Sequence, residues 1–247
     1  MNYNICISIP VKTDNIDNIK EDISLVLRAK PDFIEFRLDY VNDPKKLTPE
    51  FLNELVRSVN KKVRTIFTLR KVEEGGKMDL SAEEKIEIFK KYFMTDVSFI
   101  DMEFLTQDKV LKYVFSEILS TNINLILSYH DIQSTPPFGE VMYLLNFFRS
   151  RLIDRLDIKR SWLSECIYKW IFTANKFSDN LIPLNLCQKL SNEGSHIISF
   201  CMGELGIFSR VFCVKFGSYM TFASYKEKTA PGQISIEQVK KFLDSFK

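Results

Sequence analysis

The sequence predicts an α/β fold, a single (β/α)8 TIM barrel spanning residues 1–247, on three observations. Short apolar runs rich in β-branched and aromatic residues alternate with longer segments of helical period. Eight such pairs fill 247 residues without a linker-like stretch, which suits the length of one barrel domain. Ionisable residues recur where the apolar runs end, the place at which barrels carry their chemistry. An open doubly wound sheet would show the same alternation and is the competing architecture.

The units follow in order. An apolar run over 4–10 closes on Pro10 and gives way to a helical segment near 14–29. The run 33–40 pairs with a helix near 48–60, and 64–70 with one near 82–93. Strand 98–104 leads to a helix near 108–119. The run 123–130 leads through Ser134-Thr135-Pro136-Pro137 to a helix near 136–154. Strands 166–174, 196–202 and 219–224, with helices near 178–191, 206–216 and 235–246, complete the eight.

Composition narrows the function classes. Hydrophobic residues at 45% and charged residues at 27% describe a globular chain rather than a disordered or fibrous one. Lys and Arg total 34 against 32 Asp and Glu, and a net charge of +2 offers no field for a polyanion, so no nucleic-acid partner is expected. No apolar run approaches the roughly 18 to 20 residues of a membrane span, and residues 1–10 lack the pattern of a secretory signal. No membrane partner is expected, and the chain reads as cytoplasmic. Five scattered cysteines without paired spacing read as buried reduced thiols, and two histidines are too few for a histidine-rich metal centre. The eight glycines are few for this length and cluster at 75–76, at 203, 206 and 217, and at 232, where the backbone is expected to need them.

Several ionisable residues stand at the strand ends. Glu35, Arg37 and Asp39 are spaced by two, so along a strand they share one face while Phe36 and Leu38 face the other. Two readings fit: a clamp for hydroxyl or carboxylate groups of a small ligand, or an internal ion-pair layer. Arg70, Glu103 and His130 follow at later strand ends. Lys169 lies within the apolar run 166–174. An amine attacks a carbonyl only when neutral, which for an ordinary lysine costs roughly 4 to 5 kcal/mol at pH 7. Burial beside cations disfavours the charge, and Arg37, Arg70 and Arg210 are the expected neighbours. An outward, snorkelling lysine is the other reading, and Lys159 is a local competitor with polar neighbours. His130 suits proton transfer near neutral pH or, alternatively, a capping role. His196 begins its strand and is given no catalytic role.

Taken together, the motifs resemble type I 3-dehydroquinate dehydratase. The resemblance covers nearly the whole chain. It rests on Glu35-Phe36-Arg37-Leu38-Asp39, Thr68-Leu69-Arg70 with Glu74-Gly75-Gly76, Asp101-Met102-Glu103 and Ser128-Tyr129-His130-Asp131. It continues through Lys169 with Asp179, Met202-Gly203, Ser209-Arg210, Phe216-Gly217-Ser218, Thr221-Phe222 and Ala230-Pro231-Gly232-Gln233.

The resemblance implies a barrel, typically a homodimer, that dehydrates 3-dehydroquinate to 3-dehydroshikimate in the shikimate pathway with neither metal nor organic cofactor. It implies that Lys169 forms a Schiff base with the substrate ketone, that His130 is general acid and base, and that Glu74 orients His130. It further implies that Arg210 holds the substrate carboxylate and that Glu35, Arg37, Arg70 and Gln233 bind hydroxyls or order the site. Met202 and Phe222 are expected against the ring, and residues 226–233 as a lid with Thr229 reaching the substrate. Thr229 stands where the family commonly has serine. The connection from His130 to Lys169 looks about ten residues longer than usual, with the extra segment near 150–163 expected at the barrel end away from the site. The alternatives are another Schiff-base barrel of the class I aldolase type and a non-catalytic relative.

Overall fold

The computed structural model describes residues 3–246. Its parallel strands are β1 (Ile5–Pro10), β2 (Phe33–Arg37), β3 (Arg64–Thr68), β4 (Phe99–Glu103), β5 (Asn124–His130), β6 (Ile167–Thr173), β7 (His196–Met202) and β8 (Thr221–Ala223). They pair in the order β7-β6-β5-β4-β3-β2-β1-β8. Contacts between the two end strands, β7 and β8, bring the edges of this sheet together, so the open-sheet alternative fails. At the seam the amide of Tyr219 donates to the carbonyl of Ile197 at 2.6 Å, and the Phe200 and Phe222 rings lie 6.1 Å apart. The barrel is nearly closed.

Helices α1 (Ile16–Arg28), α2 (Pro49–Arg57), α3 (Ala82–Tyr92), α4 (Asp108–Ile118), α5 (Phe138–Ser150), α6 (Arg160–Glu165), α7 (Leu181–Asn192), α8 (Ile207–Phe212) and α9 (Ile236–Asp244) surround the strands. Their starts are chemically marked. Thr48 caps α2 with Pro49 in its first turn, while Ser81 with Glu84 and Ser235 with Gln238 form capping boxes on α3 and α9. Apolar faces such as Ile19, Ile23 and Val26 of α1, or Val110, Leu111, Val114 and Phe115 of α4, bury against the sheet.

The elements fall where periodicity predicts, with ends that differ for physical reasons. Residues Leu38–Tyr40 leave the strand as a 3₁₀ turn, so Asp39 does not share the strand face of Glu35 and Arg37. Alternation along β6 sends Lys169 inward. Trp170 packs outward against Tyr129 and Phe148, with ring centroids 4.9 and 5.8 Å away, and Tyr168 stacks on Phe104 at 6.0 Å. The aromatic neighbours of Lys169 therefore belong to the sheet–helix interface, not to the barrel interior.

Helix α6 was not expected from the sequence. After α5 the chain makes a wider π turn over Arg151–Arg155, takes Asp157 through φ 57°, and enters α6. The expectation that residues 150–163 lie wholly at the far end of the barrel is corrected. The Arg151 guanidinium donates to the carbonyls of Phe104 (2.8 Å) and Thr106 (2.9 Å) in the loop after β4, at the carboxyl ends of the strands. Only the end of the segment, α6 running into β6, reaches the opposite face.

That opposite face is closed by side chains. Arg64 lies 4.0 Å above the Phe33 ring, which meets Phe99 and Tyr219 edge-on at 5.6 and 6.1 Å. His196 packs on Tyr219 there. All five cysteines are buried and unpaired with one another. Among the described residues, no helix is long and apolar enough to cross a membrane.

Candidate active site

At the carboxyl ends of the strands the barrel opens into a cavity of about 250 Å³. Polar groups from six strands, β1 to β6, meet beneath it. Lys169 on β6 donates to Asp101 on β4 at 2.8 Å and to Glu35 on β2 at 3.3 Å. Glu35 also accepts from Ser8 on β1 and from Thr68 on β3, the latter at 2.8 Å. Arg70 donates to Asp101 and to the Ser128 hydroxyl, both at 2.7 Å, and Ser128 in turn donates to Asp101 at 2.6 Å. Each group is at most 5% exposed, so each must be paired to be tolerated. Burial opposes ionisation of Asp101, but Arg70 and Lys169 outweigh it and hold its carboxyl down at about 2. Burial opposes Glu35 in the same way, and Lys169 and Arg37 turn the balance downward.

The sequence expectation about Lys169 needs one correction. The lysine is buried and faces the cavity, but its nearest charges are the carboxylates of Asp101 and Glu35 rather than guanidinium groups. From sequence Asp101 entered only as part of the Asp101-Met102-Glu103 motif, with no role assigned, and Ser8 was not named. Asp101 stands two residues before Glu103 on β4, so the alternation that exposed Glu35 and Arg37 would have found it.

His130 ends β5 at the cavity wall. Its backbone amide and its Nδ1 both meet Oε2 of Glu74, at 3.0 and 2.9 Å. This assigns the imidazole proton to Nδ1 and leaves Nε2 free of one. Burial, reinforced by Arg70, Lys169 and Arg37, pushes His130 well below the usual histidine range, so the ring is neutral at pH 7. Burial also raises the Glu74 carboxyl to about 7, against the pull of Arg70 and with a push from Glu103. The pair therefore changes its proton content near neutrality. His130 is poised to accept a proton and Glu74 to support the resulting imidazolium.

Arg210 on α8 is 1% exposed, and among the described residues no carboxylate lies within ion-pair distance of it. Its guanidinium stacks 4.4 Å from the Phe200 ring and donates to the Pro231 carbonyl at 2.9 Å, while its Nε has no protein partner. Burial lowers it to about 10. A buried cation with donors to spare, opening on a cavity, is a receptor for an anion.

The remaining walls are less polar. Met202 and Phe222 line the cavity, and Lys169 Nζ sits 4.3 Å over the Phe222 ring. Arg37 reaches it while held bidentately by Asp39, both contacts being 2.8 Å. Residues 229–233 cover one side, where Gln233 accepts from the Thr229 amide at 2.8 Å and donates to its hydroxyl at 3.2 Å. Gly232 adopts φ 72° there, and a Cβ would stand 2.1 Å from the Gly203 carbonyl, so only glycine lets this segment settle on the barrel. The eleven residues to which the resemblance gives site roles thus line one cavity: Lys169, His130 and Glu74; Glu35, Arg37 and Arg70; Met202, Arg210 and Phe222; Thr229 and Gln233. Asp39 and Glu103, also singled out at strand ends, do not line it. Lys159 is exposed outside it, over the Trp162 ring.

Residues 5–247 match the family described as type I 3-dehydroquinase. The chain belongs to that family. A 3-dehydroquinate dehydratase of Methanococcus maripaludis is 33% identical over 234 residues, covering 94% of this chain and 94% of that protein. The enzyme of Pyrococcus abyssi is 30% identical over 227 residues, or 92% and 93% of the two chains. Among solved structures, the type I enzyme of Clostridium difficile with covalently modified comenic acid superposes with a TM-score of 0.80 at 27% identity, over 99% of this chain and 92% of that one. The enzyme of Geobacillus kaustophilus reaches 0.82 at 23% identity over 99% and 91%, which speaks for the fold alone. In this type I 3-dehydroquinase the extra π turn and α6 leave the cavity walls untouched, since no residue of 150–165 lines it.

Proposed function

We propose that this hydro-lyase converts 3-dehydroquinate to 3-dehydroshikimate through an imine on Lys169, with His130 as general base and then general acid. The observation that carries the reading is the shared cavity: a buried lysine, a neutral histidine held by a carboxylate, and an unpaired guanidinium around about 250 Å³. That combination matches a small substrate with one ketone and one carboxylate. The carboxylate enters on Arg210 and recovers the ion pair that the protein itself does not supply. The ketone then meets Lys169.

His130 takes a proton from the Lys169 ammonium, and the neutral amine adds to the ketone carbon. The proton returns to the carbinolamine hydroxyl so that it leaves as water, and the protonated imine becomes an electron sink. His130 Nε2 removes the proton on the adjacent carbon, and Glu74 stabilises the imidazolium across Nδ1. The electron pair returns to expel the hydroxyl, to which His130 gives its proton, so a second water forms. Hydrolysis of the imine then frees the product and restores Lys169. Glu35, Arg37, Arg70 and Gln233 bind hydroxyls or hold the site in order, Met202 and Phe222 pack the ring, and residues 226–233 exclude solvent with Thr229 on the substrate. The Clostridium difficile relative, described with covalently modified comenic acid, supports a family cavity that holds a covalently modified small molecule. The test is the appearance of the conjugated-enone absorbance of 3-dehydroshikimate on adding 3-dehydroquinate. Turnover that vanishes in Lys169→Ala is expected, whereas unchanged turnover in that variant would overturn the reading.

A further inference from the structure

Glu74 is carried by a loop that has no core of its own. Between residues 71 and 77 it is the one buried residue, Val72 is 49% exposed, and apolar packing on the core resumes only at Met78 and Leu80. Gly75 takes φ 83°, and a Cβ on Gly76 would fall 1.8 Å from the Arg70 carbonyl, so the turn lies flat on the strand end. Apolar burial cannot hold such a loop in place. Its backbone amides can. The Lys71 amide donates to Oε1 of Glu103 at 2.9 Å, and the Lys77 amide donates to Oδ2 of Asp39 at 3.1 Å. Between these anchors the Lys71 carbonyl accepts from the amides of Glu74 and Gly76, at 3.1 and 2.9 Å, which closes the turn.

We propose that Asp39 and Glu103 are positioning residues that clamp the two ends of the 71–77 loop and thereby hold Glu74 on His130. The inference rests on the imine reading above, and neither residue lines the cavity or touches Lys169. Both are buried, at 1% and 3% exposure, where hydrogen bonds from amides to a carboxylate are stronger than those to a neutral acceptor. Asp39 holds Arg37 with the same carboxylate, so the clamp joins a cavity-lining cation to the acid–base pair. Glu103 lies 3.4 Å from Arg70, which itself is 3.5 Å from Glu74. A loop free to shift by about 1 Å would break the Glu74–His130 contact, and a misplacement of that size costs about 100-fold in rate.

The test compares Glu103→Ala, Glu103→Gln and Asp39→Ala with the unaltered enzyme. In Glu103→Ala, kcat is expected to fall roughly 10- to 100-fold with KM within about threefold. Glu103→Gln should recover most of that loss, because its amide oxygen still accepts from Lys71. Asp39→Ala should lower kcat and raise KM together, since Arg37 loses its partner. The pH profile supplies a readout that a merely structural role leaves still. Arg70, Lys71, Glu103, Asp101 and Tyr129 face Glu74, and Arg70, Lys169 and Arg37 face His130. Removing the Glu103 charge leaves the cations of that set in excess, so the acidic limb of kcat should move below about 7 in Glu103→Gln. The isosteric glutamine carries the test alone should either alanine variant fail to fold.

An unmoved limb in Glu103→Gln, or Glu103→Ala at unaltered kcat in folded protein, overturns the inference. Borohydride trapping with 3-dehydroquinate separates it from the reading on which it rests. No adduct in the unaltered enzyme removes the imine reading itself, while an adduct with unaltered turnover in Glu103→Ala removes only the clamp.

Discussion

Replacing Arg210 by methionine should make the folded chain more stable and disable recognition at the same time. Burial lowers the guanidinium from its ordinary range to about 10. At about 1.36 kcal/mol per pH unit, that drop is about 3 kcal/mol of unfavourable charge burial. The folded value lies below the unfolded one, so the penalty is complete at any pH below about 10 and fades only as pH climbs above it towards the ordinary guanidinium range. Methionine removes it together with the bond to the Pro231 carbonyl and the stacking on Phe200, which contribute about 1.5 to 2 kcal/mol between them. The remainder, about 1 to 2 kcal/mol, raises Tm by roughly 2 to 8 °C for a chain of this size. Substrate recognition moves the other way, because the proposed carboxylate receptor is lost, and KM should rise about 100-fold or more. Thermal melts of the ligand-free protein at pH 7 and steady-state kinetics measure both effects. A methionine variant that melts lower and keeps its KM would refute the assignment of Arg210 as an anion receptor.

Other outcomes follow from the same geometry. Glu74→Gln should lower kcat by roughly 10²- to 10³-fold and remove the acidic limb expected near 7, as read from kcat against pH, because Glu74 must be ionised to support the imidazolium. Asp101 contributes about 2 kcal/mol above its unfolded value of 3.8, and this contribution is lost as pH falls through about 2. In denaturant melts, Asp101→Asn should therefore be destabilised at pH 7, with the difference shrinking on acidification. Gly232→Ala should lower kcat/KM by about tenfold or more through the covering segment, with a Tm change of only a few degrees, since this part of the chain contributes little to the core.

Much of this organisation is legible in the sequence because two periodicities carry it. The alternation of β6 separates an inward Lys169 from outward Tyr168 and Trp170, and that of β2 places Glu35 and Arg37 together on the cavity side. What escaped the pattern depends on contacts between distant elements. Asp39 follows the spacing of β2 but sits in a 3₁₀ turn, where it serves Arg37 and the Lys77 amide. Helix α6 is six residues long and follows a π turn, so its period never develops in the sequence. The charges around Lys169 were read from the arginines at nearby strand ends, whereas the barrel's stagger brings Asp101 and Glu35 closest.

The proposed reaction turns on covalent chemistry at one lysine. Intact-mass analysis after borohydride reduction in the presence of 3-dehydroquinate, with peptide mapping, tests it most directly. The account predicts one stable adduct per chain, on Lys169, and none in Lys169→Ala. An adduct on the exposed Lys159, or folded and active protein that never traps one, would contradict it.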